Sequence, residues 1–220
     1  MTAHAAPTLG EVHTPLRHAV TDAIRDRIVD GTYPPGSRLY EETVASELGV
    51  SRNPIREAFQ VLAAEGFIAL EPRRGASVAS IDGRRAAEIF EVRAALEGLM
   101  AQLAATKRTD ETVDELRAIV AEGQEAGDAG ALSRLPHLNT RFHEHLAAMA
   151  QNGLLATMLS QVSGIVRWIY AERIEQRVLG SWHEHTLICD AVAAGDADLA
   201  RQLAIDHVNS ARGAFFDIDA

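Results

Sequence analysis

The sequence predicts a mainly α-helical protein in which a small N-terminal unit ends in a β-hairpin and a longer C-terminal part forms an antiparallel bundle of about six helices. Three observations support this prediction. Apolar residues recur at helical spacing in three short N-terminal segments, two strand-like stretches follow them, and the chain from Arg84 onward has almost no strand-like alternation. A change of pattern at residues 80–83 indicates a linker. We therefore expect a mobile tail at 1–14, one domain at 15–80 and an all-helical domain at 81–220.

The first helix is predicted from a stripe of large apolar residues. Its members are Leu16, Val20, Ile24 and Ile28. Because they are spaced four residues apart, they share one helix face, which we expect to be buried. Gly31 and the turn Pro34-Pro35-Gly36 then end the helix, since glycine and proline interrupt helical hydrogen bonding.

Two further short helices are predicted on either side of Gly49. The first covers residues 41–48, and the second begins at Ser51, whose hydroxyl can cap it, and ends near Gly66. The inward residues of the two helices are Val44, Ala45, Leu48, Ile55, Phe59 and Leu62. The residues left exposed on the second helix, Arg52, Asn53 and Arg56, are of types that read bases and bind phosphates.

A wing is predicted directly after these helices. Residues 67–70 and 77–79 are candidate strands, and Pro72-Arg73-Arg74-Gly75 supplies the turn between them. Three helices followed by such a hairpin make a winged helix-turn-helix, in which the second helix of the helix-turn-helix enters the DNA major groove. The sequence therefore predicts that residues 15–80 bind double-stranded DNA.

This region resembles the DNA-binding domain of GntR-type bacterial transcription regulators, in the subclass with an all-helical FadR-type C-terminal domain. The matching segments are Gly36-Ser37-Arg38-Leu39, Leu48-Gly49-Val50-Ser51-Arg52, Pro54-Ile55-Arg56-Glu57-Ala58, Leu62, Glu65-Gly66 and Arg74-Gly75. By resemblance, the DNA contacts are Arg52, Asn53 and Arg56 in the major groove, Arg38 and Ser51 at phosphates, and Arg73, Arg74 and Gly75 at the minor groove or its backbone. Asn53 stands where the family usually has threonine. Because an amide can pair with adenine, the operator sequence could differ while the docking mode stays the same.

The net charge of −10 is unfavourable for DNA binding at first sight. Residues 1–80 hold 8 arginines and 10 acidic residues, whereas residues 81–220 hold 13 basic and 21 acidic residues. Most of the acidity thus lies outside the predicted DNA-binding domain. We expect strong salt dependence and little non-specific binding.

Sequence signals for membrane insertion, secretion and disulfide formation bear on the compartment of the protein. The sequence has no apolar run near twenty residues and no basic leader followed by an apolar stretch, so we expect a cytoplasmic protein that does not cross a membrane. The single cysteine, Cys189, cannot form an internal disulfide and lies on an apolar helix face. A core thiol is the expectation.

Six helices are predicted in the C-terminal domain, at residues 84–106, 110–126, 132–151, 154–177, 182–194 and 197–216. Several boundaries carry capping signals. Asp110 can cap the second helix, Asn152-Gly153 separates the third from the fourth, and Gly195-Asp196 separates the last two. Ser181 and Glu184 have the spacing of a capping box at the start of the fifth.

Four polar residues of these helices occupy positions that the apolar stripes would otherwise fill. They are Asn139, His143, His185 and His207. Three inward imidazoles and an amide oxygen indicate a divalent metal site, because imidazole binds zinc, nickel, copper or ferrous iron. Each histidine alone could equally be a hydrogen-bonded core residue.

The resemblance extends to these four positions. FadR-type C-terminal domains (FCD domains) that bind metal carry an acid or amide followed four residues later by histidine, with two further histidines on the last two helices. The resemblance, which is to the six-helix VanR-like group, thus implies a divalent ion such as zinc or nickel at Asn139, His143, His185 and His207. Asn139 replaces a more common aspartate, and its neutral oxygen is expected to lower metal affinity.

Arg93 and Trp168 are candidate effector-binding residues. Arg93 lies in a segment, 90–97, that is similar to the first helix of FCD domains, and an inward guanidinium could bind a ligand carboxylate through two parallel hydrogen bonds. The alternative is that Arg93 bridges to Glu97 on the helix surface. Trp168 could shape the pocket wall or belong to the core.

Two His-Glu-His triplets, at 143–145 and 183–185, lack the spacing of a metallopeptidase site. Residues two apart on a helix face opposite ways, so His145 and His183 are expected to be exposed, as is His137. For the same reason Glu144 and Glu184 are expected to point away from the neighbouring histidines. The helical domain therefore offers no carboxylate at the spacing of a general base.

These features predict a DNA-binding transcription regulator rather than an enzyme, and more narrowly a repressor that acts as a homodimer on a palindromic operator. The resemblance implies a small organic acid or sugar acid as effector, whereas the residues alone indicate only an anionic or oxygen-rich ligand. Two alternatives remain open at this point: a metal-dependent enzyme acting on a small molecule, and a DNA-binding protein that needs no ligand.

Overall fold

A computed structural model describes residues 9–71, 74–170 and 174–216. The described residues confirm the predicted fold class, a mainly helical chain with one small antiparallel sheet. The chain divides into two compact units between Ile81 and Asp82. No helix in the described ranges is both long enough and apolar enough to cross a bilayer.

Within residues 9–71 and 74–81, the N-terminal unit contains three helices and three strands. In chain order these are α1 (Leu9–Val29), β1 (Arg38–Leu39), α2 (Glu41–Leu48), α3 (Arg52–Ala64), β2 (Ile68–Glu71) and β3 (Gly75–Val78). The antiparallel strands lie in the order β1-β3-β2, so β3 is central. The largest side chains with essentially no exposure here are Ile24, Ile28, Ile55, Leu62 and Phe67. The predicted stripes of α1 and α3 thus form one core, except that Leu16, expected on the buried face of α1, is 42% exposed.

The N-terminal helix begins earlier than predicted. Residues 9–14 were expected to belong to the mobile tail, but α1 starts at Leu9. In the sequence, Leu9 and Val12 precede Leu16 at helical spacing, so the apolar pattern of α1 extends further than the four-residue stripe suggests. The rest of the predicted tail, residues 1–8, lies outside the described residues.

Two glycines set the turns around α3. Gly49 ends α2 with a φ of +66°, a left-handed conformation that glycine adopts without steric cost. Gly66, with a φ of +87°, lets the Phe67 amide donate to the Leu62 carbonyl at 2.8 Å, which starts β2. The predicted cap at Ser51 is wrong: its backbone has the N-cap conformation, but its side chain makes no capping hydrogen bond.

The C-terminal unit is a bundle of six α-helices with one short 3-10 helix, as far as the structure describes it. Its elements are α4 (Gly83–Lys107), α5 (Asp110–Asp128), the 3-10 helix (Leu132–Arg134), α6 (Leu135–Met149), α7 (Gly153–Tyr170), α8 (Ile174–Ala194) and α9 (Ala197–Phe216). Helices α4 and α9 pack against each other most extensively. The central core includes Met100, Leu116, Phe142, Leu146, Ile188 and Val192. Cys189 is buried there as predicted, and burial, reinforced by Asp190, raises the pKa of its thiol to about 11.

Of the predicted capping signals in the C-terminal unit, those at Asn152 and Asp196 are confirmed, whereas those at Asp110 and Ser181 are wrong. Asn152 accepts a hydrogen bond from the Leu155 amide at 3.1 Å, and Asp196 accepts one from the Leu199 amide at 3.0 Å, so both cap helices. Asp110 does not cap α5, because Thr109 and Thr112 form a capping box one residue earlier.

The predicted end of the fourth helix at Arg177 and the predicted start of the fifth at Trp182 are both wrong, since α7 ends at Tyr170. Helix α8 begins at Ile174, so Ser181 lies inside it and is buried rather than at an exposed N-terminus. The capping signal is overridden because this part of α8 packs into the core, where Trp182 is 3% exposed.

Candidate nucleic-acid interface and metal centre

The start of α3 presents a polar surface to solvent. Ile55, Phe59 and Leu62 point into the core, so the opposite face of the helix carries the predicted DNA-contacting residues. Ser51, Arg52, Asn53 and Arg56 are all exposed. The Ser51 hydroxyl takes no part in capping and is therefore available to another acceptor or donor, such as a phosphate.

Arg56 is paired with Glu41, the first residue of α2. Arg56 Nε donates to Glu41 Oε1 at 3.0 Å, and Nη2 donates to Oε2 at 2.8 Å. The hydrogen bond from Arg56 lowers the pKa of Glu41 against a small opposing effect of burial, and the charge of Arg52 adds to the lowering. The sequence analysis did not identify Glu41, because the contact joins two helices and has no local spacing signal.

The wing carries a second group of predicted DNA contacts. Arg74 and Gly75 lie exposed at its tip, where Gly75 has a φ of +85° and Arg74 Nη1 lies 3.3 Å from Glu71 Oε2. Arg38 on β1 donates a hydrogen bond to the Arg74 carbonyl, which ties the guanidinium to the wing. Arg73, the remaining predicted contact, lies outside the described residues.

Three predicted metal ligands come together in the C-terminal unit. His143 on α6, His185 on α8 and His207 on α9 each offer a ring nitrogen, and these nitrogens lie within 4.8 Å of one another. His185 and His207 are buried at 0% and 4% exposure. Both ring nitrogens of His143 are also buried, and neither makes a hydrogen bond to any described residue. A buried polar atom without such a partner is costly, so the cluster fits a divalent cation.

A buried ion pair lies beside this cluster. Arg93 Nε donates to Glu97 Oε1 at 2.5 Å, and Glu97 Oε2 lies 3.5 Å from His143 Nδ1. Arg93 therefore turns inward, yet it also pairs with Glu97, and the pair is buried rather than on the surface as the alternative expected.

The buried charges around the cluster shift the pKa values of Glu97 and His143. Burial alone would raise the pKa of Glu97, but Arg93, His143 and His207 outweigh it and lower that pKa to about 2. Burial lowers the pKa of His143 to about 4, with Glu97 opposing and His207 and Arg93 reinforcing the change. At neutral pH Glu97 is therefore ionised and His143 is neutral, which is the form that binds metals.

Glu184 contacts a histidine on another helix, a contact that the sequence analysis did not consider. The prediction that Glu184 points away from its neighbours concerned His183 and His185 on α8, whereas His207 Nδ1 on α9 lies 2.7 Å from Glu184 Oε2. A carboxylate only accepts hydrogen bonds, so His207 Nδ1 is the donor in this contact. Such a contact orients a metal-binding imidazole.

The remaining histidines lie apart from the cluster. His183 and His137 are exposed as predicted. The prediction that His145 is exposed is wrong, because its Nε2 lies 2.8 Å from the Thr112 carbonyl oxygen on α5. Phe142 stacks on His185 at a centroid distance of 4.1 Å and helps to hold that ring in the core.

A cavity of about 730 Å³ adjoins the cluster within the C-terminal unit. Its wall includes Arg93, Asn139, His143 and His207. The described residues that α7 contributes to the wall are mostly small, among them Ser160, Ser163 and Gly164, and they extend to Val166. Trp168, the other predicted effector contact, lies in the last turn of α7 and is not among the described residues of the wall. The volume suits a small organic molecule.

Comparisons with known proteins agree with both units. Residues 16–78 match the family described as bacterial regulatory proteins, gntR family, and residues 88–210 match the FCD domain. A probable D-xylose utilization operon transcriptional repressor of Paenarthrobacter nicotinovorans is 30% identical over 196 residues, which are 89% of this chain and 86% of that protein. The uncharacterized HTH-type transcriptional regulator YdhC of Bacillus subtilis (strain 168) is 29% identical over 199 residues, which are 89% of each chain.

Solved structures show the same fold. Escherichia coli McbR/YncC superposes with a TM-score of 0.76 over 93% of this chain and 99% of that one, at 20% sequence identity. Because the sequence identity is only 20%, this comparison establishes a shared fold, meaning the arrangement of the helices and the wing.

Proposed function

Because the chain belongs to the gntR family of bacterial regulatory proteins and carries an FCD domain, it is a DNA-binding transcriptional regulator, and we propose that a small anionic ligand held beside a metal ion controls its binding to operator DNA. The family is one of regulators, so the alternative of a metal-dependent enzyme is set aside.

The observation that carries the proposal is that the positively charged side chain of Arg93 and two histidines of the cluster lie in the wall of the same cavity. Arg93, His143 and His207 all line the cavity, and His185 completes the cluster from α8. We assign Asn139, His143, His185 and His207 to a divalent ion, with zinc or nickel as the candidates. When bound, the metal supplies positive charge and open coordination positions for ligand oxygens. The neutral oxygen of Asn139 makes this site weaker than one with an aspartate.

A carboxylate or sugar acid is the ligand class that suits this wall. The hydrogen bond from Arg93 to Glu97 uses Nε, which leaves the terminal amino groups of the guanidinium for a ligand carboxylate. Small polar residues such as Ser160 and Ser163 offer hydroxyls on the opposite helix. The relative from Paenarthrobacter nicotinovorans is named for D-xylose utilization, which favours a sugar-derived ligand.

At the DNA, Arg52, Asn53 and Arg56 are proposed to read bases in the major groove. Arg38 and Ser51 are proposed to hold phosphates, and Arg73, Arg74 and Gly75 to follow the minor groove or its backbone. A homodimer would place two copies of α3 in major grooves about 34 Å apart on a palindromic operator. The name of the same relative, a repressor, supports negative control.

The test combines metal, ligand and DNA in one titration. Duplexes selected by the protein from a random pool are titrated with the full chain, with and without zinc or nickel, across a panel of small carboxylates including gluconate. We expect at least one acid to release the DNA only when metal is present, and expect His185→Ala to abolish that response. His183→Ala is the matched control, since His183 is exposed two residues earlier on α8. Equal DNA affinity in every condition would contradict effector control and favour a regulator that needs no ligand.

A further inference from the structure

Arg56 is held in place before any DNA arrives. Its side chain is 58% exposed, yet both oxygens of Glu41 accept hydrogen bonds from it. An exposed arginine normally samples many rotamers, so holding it in one of them costs side-chain entropy. Two parallel charge-assisted hydrogen bonds restrict the guanidinium to one plane and one direction.

The geometry of the pair leaves the base-reading edge of Arg56 open. Glu41 occupies the edge formed by Nε and Nη2. A guanidinium has five N–H donors, so Nη1 and the second hydrogen of Nη2 point away from Glu41 as a pair of parallel donors. Such a pair matches O6 and N7 of guanine in the major groove.

Glu41 is itself anchored to the core of the N-terminal unit. It is the first residue of α2, and Val44 and Ala45 in the next turn are buried. The Val44 amide donates to the Tyr40 carbonyl at 3.0 Å, which fixes the first turn of the helix. The carboxylate therefore has a defined position relative to α3.

The same carboxylate has a second effect on DNA binding. A negative charge beside the reading helix repels phosphates of any sequence, so it lowers non-specific affinity. On a matching site this repulsion is offset by the oriented contact between Arg56 and guanine. One side chain thereby weakens binding to incorrect sequences and supports binding to the correct one.

We propose that Glu41 is a specificity-determining residue of the DNA-binding unit, which positions Arg56 toward a guanine and penalises non-specific binding. This inference rests on the proposed role of Arg56 as a base-contacting residue. Glu41 acts through Arg56 and is a positioning residue, so its removal changes sequence preference more than fold stability.

The test is a selection from a random duplex pool, carried out with the wild type, Glu41→Gln, Glu42→Gln and Arg56→Ala. Affinities are then measured for the duplex selected by the wild type and for a shuffled duplex of equal composition, at one salt concentration. Glu42 is the matched control, because it is an exposed glutamate in the same turn and its substitution changes the charge equally. Thermal melts confirm that each variant folds.

For Glu41→Gln we expect tighter binding to the shuffled duplex and a fall of about tenfold in the ratio of the two affinities. The selected sequences should lose the same guanine that Arg56→Ala loses. Glu42→Gln should keep the ratio. A Glu41→Gln ratio equal to that of Glu42→Gln would overturn this inference alone. An Arg56→Ala variant with unchanged base preference would overturn the proposed base contact and the inference with it.

Discussion

Glu97 places one negative charge among Arg93, His143 and His207 in the interior of the C-terminal unit. It is 3% exposed, and its lowered pKa shows that the favourable charges exceed the cost of burial. The carboxylate therefore compensates Arg93 on one side and faces the histidine cluster on the other. Its removal leaves buried positive charge without compensation.

We predict that Glu97→Gln destabilises the metal-free protein by about 3–5 kcal/mol, since breaking a buried ion pair leaves the other charge unpaired. Urea unfolding in the presence of a chelator measures the free energy of unfolding. Glu91→Gln is the control on the same helix, because Glu91 is exposed and its nearest cation, Arg212, is 3.9 Å away. A loss no larger than that of the control would show that Arg93 finds another partner.

Glu184 gives a prediction about metal affinity. Its hydrogen bond with His207 Nδ1 fixes the orientation of the imidazole, whose Nε2 is the proposed ligand atom. We expect Glu184→Gln to weaken zinc binding by about 10–100-fold, as measured by competition with a chromophoric chelator. Glu144→Gln, which alters an exposed glutamate next to His143, should leave the affinity unchanged. Equal affinities of the two variants would rule out an orienting role for Glu184.

At the scale of elements, tertiary packing decides where α8 begins. A capping box contributes about 1 kcal/mol, whereas burying a large apolar side chain contributes about 1.5–3 kcal/mol. Ser181 and Glu184 carry the local signal, but Trp182 is buried against α5, and the helix continues through the signal to Ile174. Local patterns therefore locate a helix well and its ends less well when those ends are buried.

The contact between α5 and α8 depends on a glycine. A Cβ added at Gly123 would lie 2.2 Å from the ring of Trp182, so the two helices approach more closely than any side chain allows. We predict that Gly123→Ala destabilises the protein by about 1–3 kcal/mol, which is the usual cost of overpacking a core. Thermal or urea unfolding followed by circular dichroism tests this.

Gly180→Ala is the matched control for that variant. Gly180 lies within α8, and an added Cβ meets nothing within 4 Å, so alanine should be neutral or stabilise the helix by up to about 1 kcal/mol. Equal stability of the two variants would mean that Trp182 moves aside and that the close approach is not required.

At the scale of the whole molecule, the sequence predicted the order of the helices and the inward direction of His143, His185 and His207. Both follow from apolar periodicity, which is a local property of each helix. It missed the partners of Arg56 and His207, because Glu41 and Glu184 reach them across helix pairs whose crossing is set by the fold. Trp168 was also proposed from the sequence as a residue of the cavity wall, whereas the described residues that α7 contributes to the wall extend to Val166.

The charge distribution of the whole chain leads to a prediction about salt. With a net charge of −10, attraction to DNA depends on a few exposed arginines rather than on the protein's overall field. If Arg38, Arg73 and Arg74 of two protomers each neutralise a phosphate, the logarithm of the affinity should fall with the logarithm of salt at a slope of about −5. Arg38→Gln should bring that slope about 2 closer to zero, since the proposed homodimer would lose two contacts. Arg117→Gln, which removes an exposed arginine from α5, should leave the slope unchanged.

Fluorescence anisotropy on a selected duplex gives these slopes when the salt concentration is varied from about 50 to about 200 mM, because phosphate contacts change the affinity strongly over this range. An unchanged slope for Arg38→Gln would mean that the hydrogen bond from Arg38 to the Arg74 carbonyl supports the wing and that the guanidinium does not reach the phosphates.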